Sequence, residues 1–159
     1  MKKLFSIILA IILVFSLGIN TYAVTDTSNT PSNETTIYFE DGSYIIVTIA
    51  EDTNQTSTYA THVKTGSKSM TYYSSDEEPL WGATLRGTFT YTGTSATCTD
   101  SSISYSVYDS NWKVKSATTS ETGNKALGNI IVKRYFLGIT TKTVDCDIQI
   151  TCSATGVLS

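Results

Sequence analysis

With two prolines and one histidine in 159 residues, this chain excludes several kinds of protein at once. A mucin-like stalk is rich in proline and poor in aromatics, whereas ten tyrosines accompany the two prolines here. General acid-base chemistry leans on histidine or on a carboxylate pair of separated pKa, and His62 stands alone, with no neighbouring ligands for a metal centre. No G-x-S-x-G pentapeptide is present to mark a hydrolase nucleophile. Gly66-Ser67-Lys68-Ser69 superficially resembles a phosphate loop, but its lysine does not follow a glycine and its flanks read as strands. No cofactor is expected. Basic stripes are missing too, which argues against nucleic acid or an anionic membrane as partner.

What is present begins with an export signal. Lys2 and Lys3 form a positive n-region, Leu4 to Leu17 an apolar h-region, and Thr21-Tyr22-Ala23 a small-residue cleavage site. The h-region has 14 residues and is interrupted by Ser6 and Ser16, against about 20 for a membrane-spanning helix. Cleavage after Ala23 is therefore expected. No cysteine follows for lipid attachment, and Ser153 to Ser159 carry neither a hydrophobic tail nor a sorting signal, so the expectation is a released, extracellular chain without membrane contact. Losing Lys2 and Lys3 leaves nine basic against 14 acidic side chains, a net charge of −5.

The remainder reads as one domain. Thr, Tyr, Val and Ile dominate it over Leu, Ala, Glu and Lys, the balance of pleated strands. Residues 24–34 are polar and aperiodic, a flexible leader, and 35–159 form the domain. Asp41-Gly42 between Thr35–Glu40 and Ser43–Ala50 predicts a two-residue type I′ hairpin that pairs Phe39 with Tyr44 and Ile37 with Ile46, leaving Tyr38, Ile45, Val47 and Ile49 on the other face. Leu80 to Thr92 alternates strictly, with Trp81, Ala83, Leu85, Gly87, Phe89 and Tyr91 on one face. Ile103, Tyr105 and Val107 continue a period of two, Ala126 to Tyr135 reads as a further strand, and Thr141 to Cys152 sends Val144, Cys146, Ile148, Ile150 and Cys152 inward. Eight or nine such strands without helical periodicity predict an all-β fold. The expected architecture is an antiparallel two-sheet sandwich, immunoglobulin-like or related, with a closed β-barrel as the alternative.

Three cysteines in an exported chain leave one over from any pair. Cys98 with Cys152 is the expected bridge and Cys98 with Cys146 the alternative, either closing a loop worth about 4 kcal/mol on the chain-entropy model; free buried thiols are the competing reading. Asp145 and Asp147 share the outward face of a strand and are weak candidates for holding calcium, as is the acidic turn Asp76-Glu77-Glu78. Without a calcium-loop pattern, solubilising surface charge is the simpler account of both. Tyr72, Tyr73, Tyr108 and Trp112, with Trp81 and Tyr105, would suit a platform that stacks on sugar rings; the competing role is core packing, strongest for Trp81 and Tyr105.

The run Ile37-Tyr38-Phe39-Glu40-Asp41-Gly42-Ser43-Tyr44, the later Leu80-Trp81 and Gly87-Thr88-Phe89-Thr90-Tyr91, and the ending Thr151-Cys152-Ser153-Ala154 resemble a group of small exported proteins of clostridial gut bacteria. The resemblance implies a Gram-positive, anaerobic producer and no catalytic residues. The expected function is a secreted, non-catalytic binding or adhesion module for a glycan, a wall polymer or a protein. A secreted antagonist or immunity factor and a small secreted hydrolase are the alternatives.

Overall fold

The computed structural model describes residues 34–52, 56–58 and 61–159. The expected signal segment, residues 1–23, and residues 24–33 of the expected leader lie outside the described residues. Glu34, read from sequence as the leader's last residue, already opens the first strand.

Nine strands run through the described residues, with no helix among them: β1 (Glu34–Tyr38), β2 (Tyr44–Glu51), β3 (Thr56–Thr58), β4 (Thr61–Tyr73), β5 (Pro79–Tyr91), β6 (Ala96–Val107), β7 (Trp112–Thr122), β8 (Lys125–Phe136) and β9 (Ile139–Thr151). They form two antiparallel sheets that do not close into a barrel. The larger has the order β1-β2-β4-β5-β6 with short β3 also on β4, and the smaller the order β7-β8-β9. Apart from β3, each strand hydrogen-bonds its neighbours in sequence, a meander folded once between β6 and β7. The inner faces meet where β5 packs across β8 and β9, β4 across β9, and β6 across β8.

Period-two alternation drives this packing. From β5, Trp81, Ala83, Leu85 and Phe89 are buried; Ala126, Ile130 and Val132 answer them from β8, and Val144, Ile148 and Ile150 from β9. The sheets approach closely at two glycines: a Cβ would sit 3.0 Å from Ala126 Cβ at Gly87 and 3.1 Å from a Leu85 methyl at Gly128. Tyr105 is in phase with this core, opposite Ala83, yet it is 53% exposed, because β6 is bonded to the facing sheet through its first half, at Cys98 and Ser101, and Tyr105 lies in its second half.

The first hairpin differs from its sequence reading. Phe39 N–H donates to Ser43 O at 2.8 Å and Gly42 N–H to Phe39 O at 3.1 Å, so the loop holds three residues. Gly42 alone takes positive φ, +80°, where the two-residue turn would have required Asp41 there as well. This type I turn with a glycine bulge shifts the register by one: Tyr38 faces Tyr44, Ile37 faces Ile45, and Thr36 faces Ile46. One residue of slip exchanges faces, which puts Ile37 with Ile45 and Val47 on the inner side and Tyr38 with Tyr44 and Ile46 on the outer.

Cysteine pairing differs too. Cys98, Cys146 and Cys152 are free thiols. Cys98 and Cys152 do reach the same end of the sandwich, their amides donating to the successive carbonyls of Gly123 and Asn124. Their thiols turn to carbonyls beside them, Asp100 O and Ser153 O, both at 3.4 Å.

Candidate functional site

Two surfaces stand out, one on the outer face of the large sheet and one inside its overhang. On the outer face, register sets Tyr38, Tyr44 and Tyr73 side by side across β1, β2 and β4. Tyr44 and Tyr73 stack at 5.0 Å with planes 9° apart, and Tyr38 leans on Tyr44 at 5.6 Å and 42°. Tyr38, on the edge strand, is 74% exposed. Partial burial, followed by the charge of Glu77, raises the Tyr44 pKa above its ordinary value.

Beside the row the outer face is made of hydroxyls. Ser69 and Thr84 bond across β4 and β5 at 2.9 Å, and Thr65 and Thr88 at 3.4 Å. Ser104 and Ser106 extend the polar face onto β6, opposite Thr84 and Gly82. Gly82 leaves a shallow notch of about 90 Å³ among Thr71, Thr84, Ser104, Ser106 and Tyr108. The Tyr108 phenol lies across it, its oxygen 3.6 Å from where a Gly82 Cβ would be.

Of the platform residues expected from sequence, the structure brings Tyr73 and Tyr108 to this one face. It removes the other two. Tyr72 is 1% exposed and Trp112 3%; Tyr72 stacks on buried Trp81 at 5.5 Å and meets Trp112 edge-on at 5.5 Å. Both side chains point between the sheets, and an aromatic there contributes more by filling the core than by waiting for a ligand. Tyr38 and Tyr44 were missed, because the expected register put them on opposite faces.

The second surface is a cleft of about 430 Å³ between the β1–β2 overhang and β9. Ile37, Phe39, Ile45, Val47 and Met70 line it from the large sheet, and Cys146 and Ile148 from the small one. At one end Lys68 Nζ donates to Gln149 O at 3.2 Å. Beyond Phe39, whose aromatic face it overlies at 5.9 Å, Lys142 lines a neighbouring pocket of about 220 Å³, where its Nζ donates to Asp41 Oδ2 and to Tyr72 Oη, each at 2.5 Å. Ser43 Oγ completes that ring, 2.7 Å from Tyr72 Oη and donating to Asp41 Oδ1 at 2.5 Å. The bonds from Lys142 and then Ser43 hold the Asp41 carboxyl well below the usual carboxylate range. Burial of the Lys142 ammonium opposes its charge, but the bonds to Asp41 and Tyr72 outweigh this and raise its pKa.

The remaining chemical candidates are dispersed. Asp145 and Asp147 lie on the solvent side of β9, where both accept from Asn129 Nδ2, at 2.7 and 2.9 Å. Among the described residues no three His, Cys, Asp or Glu side chains converge as a metal-binding group. Asp76 and Glu78 amides bond Ser74 Oγ in a tight turn. His62 stacks on Tyr91 at 5.0 Å, and residues 66–69 run through the middle of β4. Burial pushes the thiols of Cys98 and Cys152 up, and burial with the charges of Asp145 and Asp147 pushes Cys146 up to about 11.

No known family model, curated protein or solved structure matches the chain.

Proposed function

We propose that this is an exported binding module that holds a glycan or wall polymer on the outer face of its large sheet. The observation that carries the reading is that Tyr73 and Tyr108, 35 positions apart in sequence, share the outer face of the large sheet, where Tyr108 lines a notch floored with hydroxyls. Sugars present an apolar face of C–H groups and a rim of hydroxyls. An aromatic ring meets the first and a Ser/Thr array the second. Arg86, opposite Ser102 and Ser67, and Asp100, opposite Thr88, are the two formal charges among the β4–β6 positions that carry the hydroxyls, and being of opposite sign they leave that face without net charge, as suits an uncharged ligand.

The test is co-sedimentation of the chain from Val24 onward with insoluble wall preparations, mucin and polysaccharides. Tyr73→Ala and Tyr108→Ala are each expected to weaken retention about tenfold, the scale of an aromatic hot spot of ~1–2 kcal/mol. Soluble sugar should compete the parent chain off. Retention unchanged in the double variant would remove this face from consideration.

A further inference from the structure

The cleft beneath β1 and β2 is bordered by backbone as well as by side chains. Thr151 exchanges both main-chain bonds with Ser159, at 2.8 and 3.0 Å, on the side of β9 away from β8, while Cys152 N–H bonds Asn124 O on the β8 side. Successive residues of a strand direct their N–H and C=O groups alternately left and right. The β8–β9 register is unbroken from Lys142 to Thr151. Thr143, Asp145, Asp147 and Gln149 therefore aim their main-chain groups at the open flank, where Lys68 has already taken Gln149 O. Three rungs, at Thr143, Asp145 and Asp147, have no main-chain partner among the described residues, and the last of them borders the cleft.

The chain itself shows how this edge is used. In its tail, Ser159 pairs with Thr151 while its neighbour Leu158 turns inward, 8% exposed, over Gly66. Main-chain bonds on the edge and an alternate apolar side chain in the core are the two components of strand addition. Beyond Gln149 the same edge continues without a strand on it among the described residues, and the same inner layer continues as Ile37, Val47 and Met70.

We propose that this groove accepts an extended peptide of about five residues as a fourth strand of the smaller sheet, spanning roughly 17 Å between the Lys68 and Lys142 clamps. Its alternate side chains are apolar and enter the cleft. Its outward side chains are basic, because they stand next to Asp145 and Asp147 on the outer face. Asn129 fixes both carboxylates side by side, and opposite charges on adjacent strands attract. This site is independent of the outer tyrosine face.

The probe is an acetylated, amidated seven-residue peptide that alternates lysine and valine, titrated into the chain from Val24 onward with amide chemical shifts as readout. Binding should move the amides of residues 143–147 and saturate. The analogue with glutamate for lysine should bind at least tenfold more weakly, and alternate N-methylation, which removes the peptide's ladder donors, should abolish saturation. Ile37→Trp, at a half-exposed position, should fill the cleft and cost more than tenfold in affinity without lowering the thermal midpoint. Asp145→Asn with Asp147→Asn should bring the lysine peptide down to the level of the glutamate one. No saturable shift, affinity indifferent to N-methylation, or full affinity in Ile37→Trp would each overturn the proposal. So would a concentration-dependent dimer that protects residues 143–147 without peptide, since a second copy would then be the occupant.

Discussion

The two long flanks of the sandwich contain similar strands and end differently. On the β6–β7 flank the sheets are laced together: Cys98 N–H to Gly123 O at 2.8 Å, Ser101 Oγ to Glu121 Oε1 at 2.5 Å, and Thr119 Oγ1 to Ser101 O at 3.5 Å. On the β1–β9 flank, two strands of the large sheet project past the edge of the small one, and a 430 Å³ cleft opens with side-chain clamps at its ends. Chain continuity explains the difference. β6 leads directly into β7, so that flank closes by connection, whereas β1 and β9 are remote in sequence and nothing obliges their strand counts to match. In a sandwich of this kind, the mismatch in strand number determines where an inner face is left uncovered.

The comparison is tested most severely in the shared core, which both flanks depend on. Trp81→Ala removes a fully buried ring that stacks on Tyr72 and is expected to lower unfolding free energy by about 3–5 kcal/mol, read as a drop in urea midpoint with little change in slope. A smaller loss from this position would mean that the layers repack. Next comes the tail that covers one end of the open flank. Leu158→Ala should cost about 2–3 kcal/mol, and amide exchange at Thr151 and Ser159 should accelerate before the rest of β9. If those amides remain protected, the tail is held by its backbone rather than by the leucine.

The clamp at the other end adds a pH signature. Asp41 is depressed, so its contribution is complete above the unfolded carboxyl pKa of about 3.9 and is lost as pH falls through and below that value. Lys142 is raised, so its contribution is complete below about 10.4 and is lost as pH rises beyond it. Stability should therefore plateau between these limits and fall on both sides. Asp41→Asn should flatten the acid limb, and Lys142→Met both limbs. An acid limb that persists unchanged in Asp41→Asn would assign it to other carboxylates.

Much of this architecture was legible in the chain, and its clearest part was β5. Its alternation from Trp81 to Phe89 reports a surface half in the core and half in solvent, and burial by the facing sheet reproduces that pattern. The inward series of β9 was legible for the same reason. The first hairpin was not, since Asp-Gly fits both a two-residue turn and the last two positions of a three-residue loop, and both registers leave apolar residues on both faces. That one residue decided the candidate sites: it moved Tyr38 to the outer row and Ile37 into the cleft. Tyr72 and Trp112 were misplaced for a related reason. An aromatic on a strand suits either face, and only the opposite layer reveals which face is covered. The cleft itself left no local trace, because it arises from five strands facing three, a property of sheet order.

The smallest expected effect separates the flanks most directly. Ile37 and Ile130 are the same residue type in strands that both face the interior. Ile130, on β8, is fully buried, whereas Ile37, on the overhang, is 50% exposed. Ile130→Ala should cost about 2–5 kcal/mol, since a cavity remains where the side chain was. Ile37→Ser should stay within about 0.5 kcal/mol of the parent chain, because its side chain gives up little buried surface and leaves no closed void. Urea midpoints of the two variants measured side by side decide the matter. A loss at Ile37 approaching that at Ile130 would mean that the overhang is covered in solution, and the flank described as open would have to be closed by something that packs on Ile37.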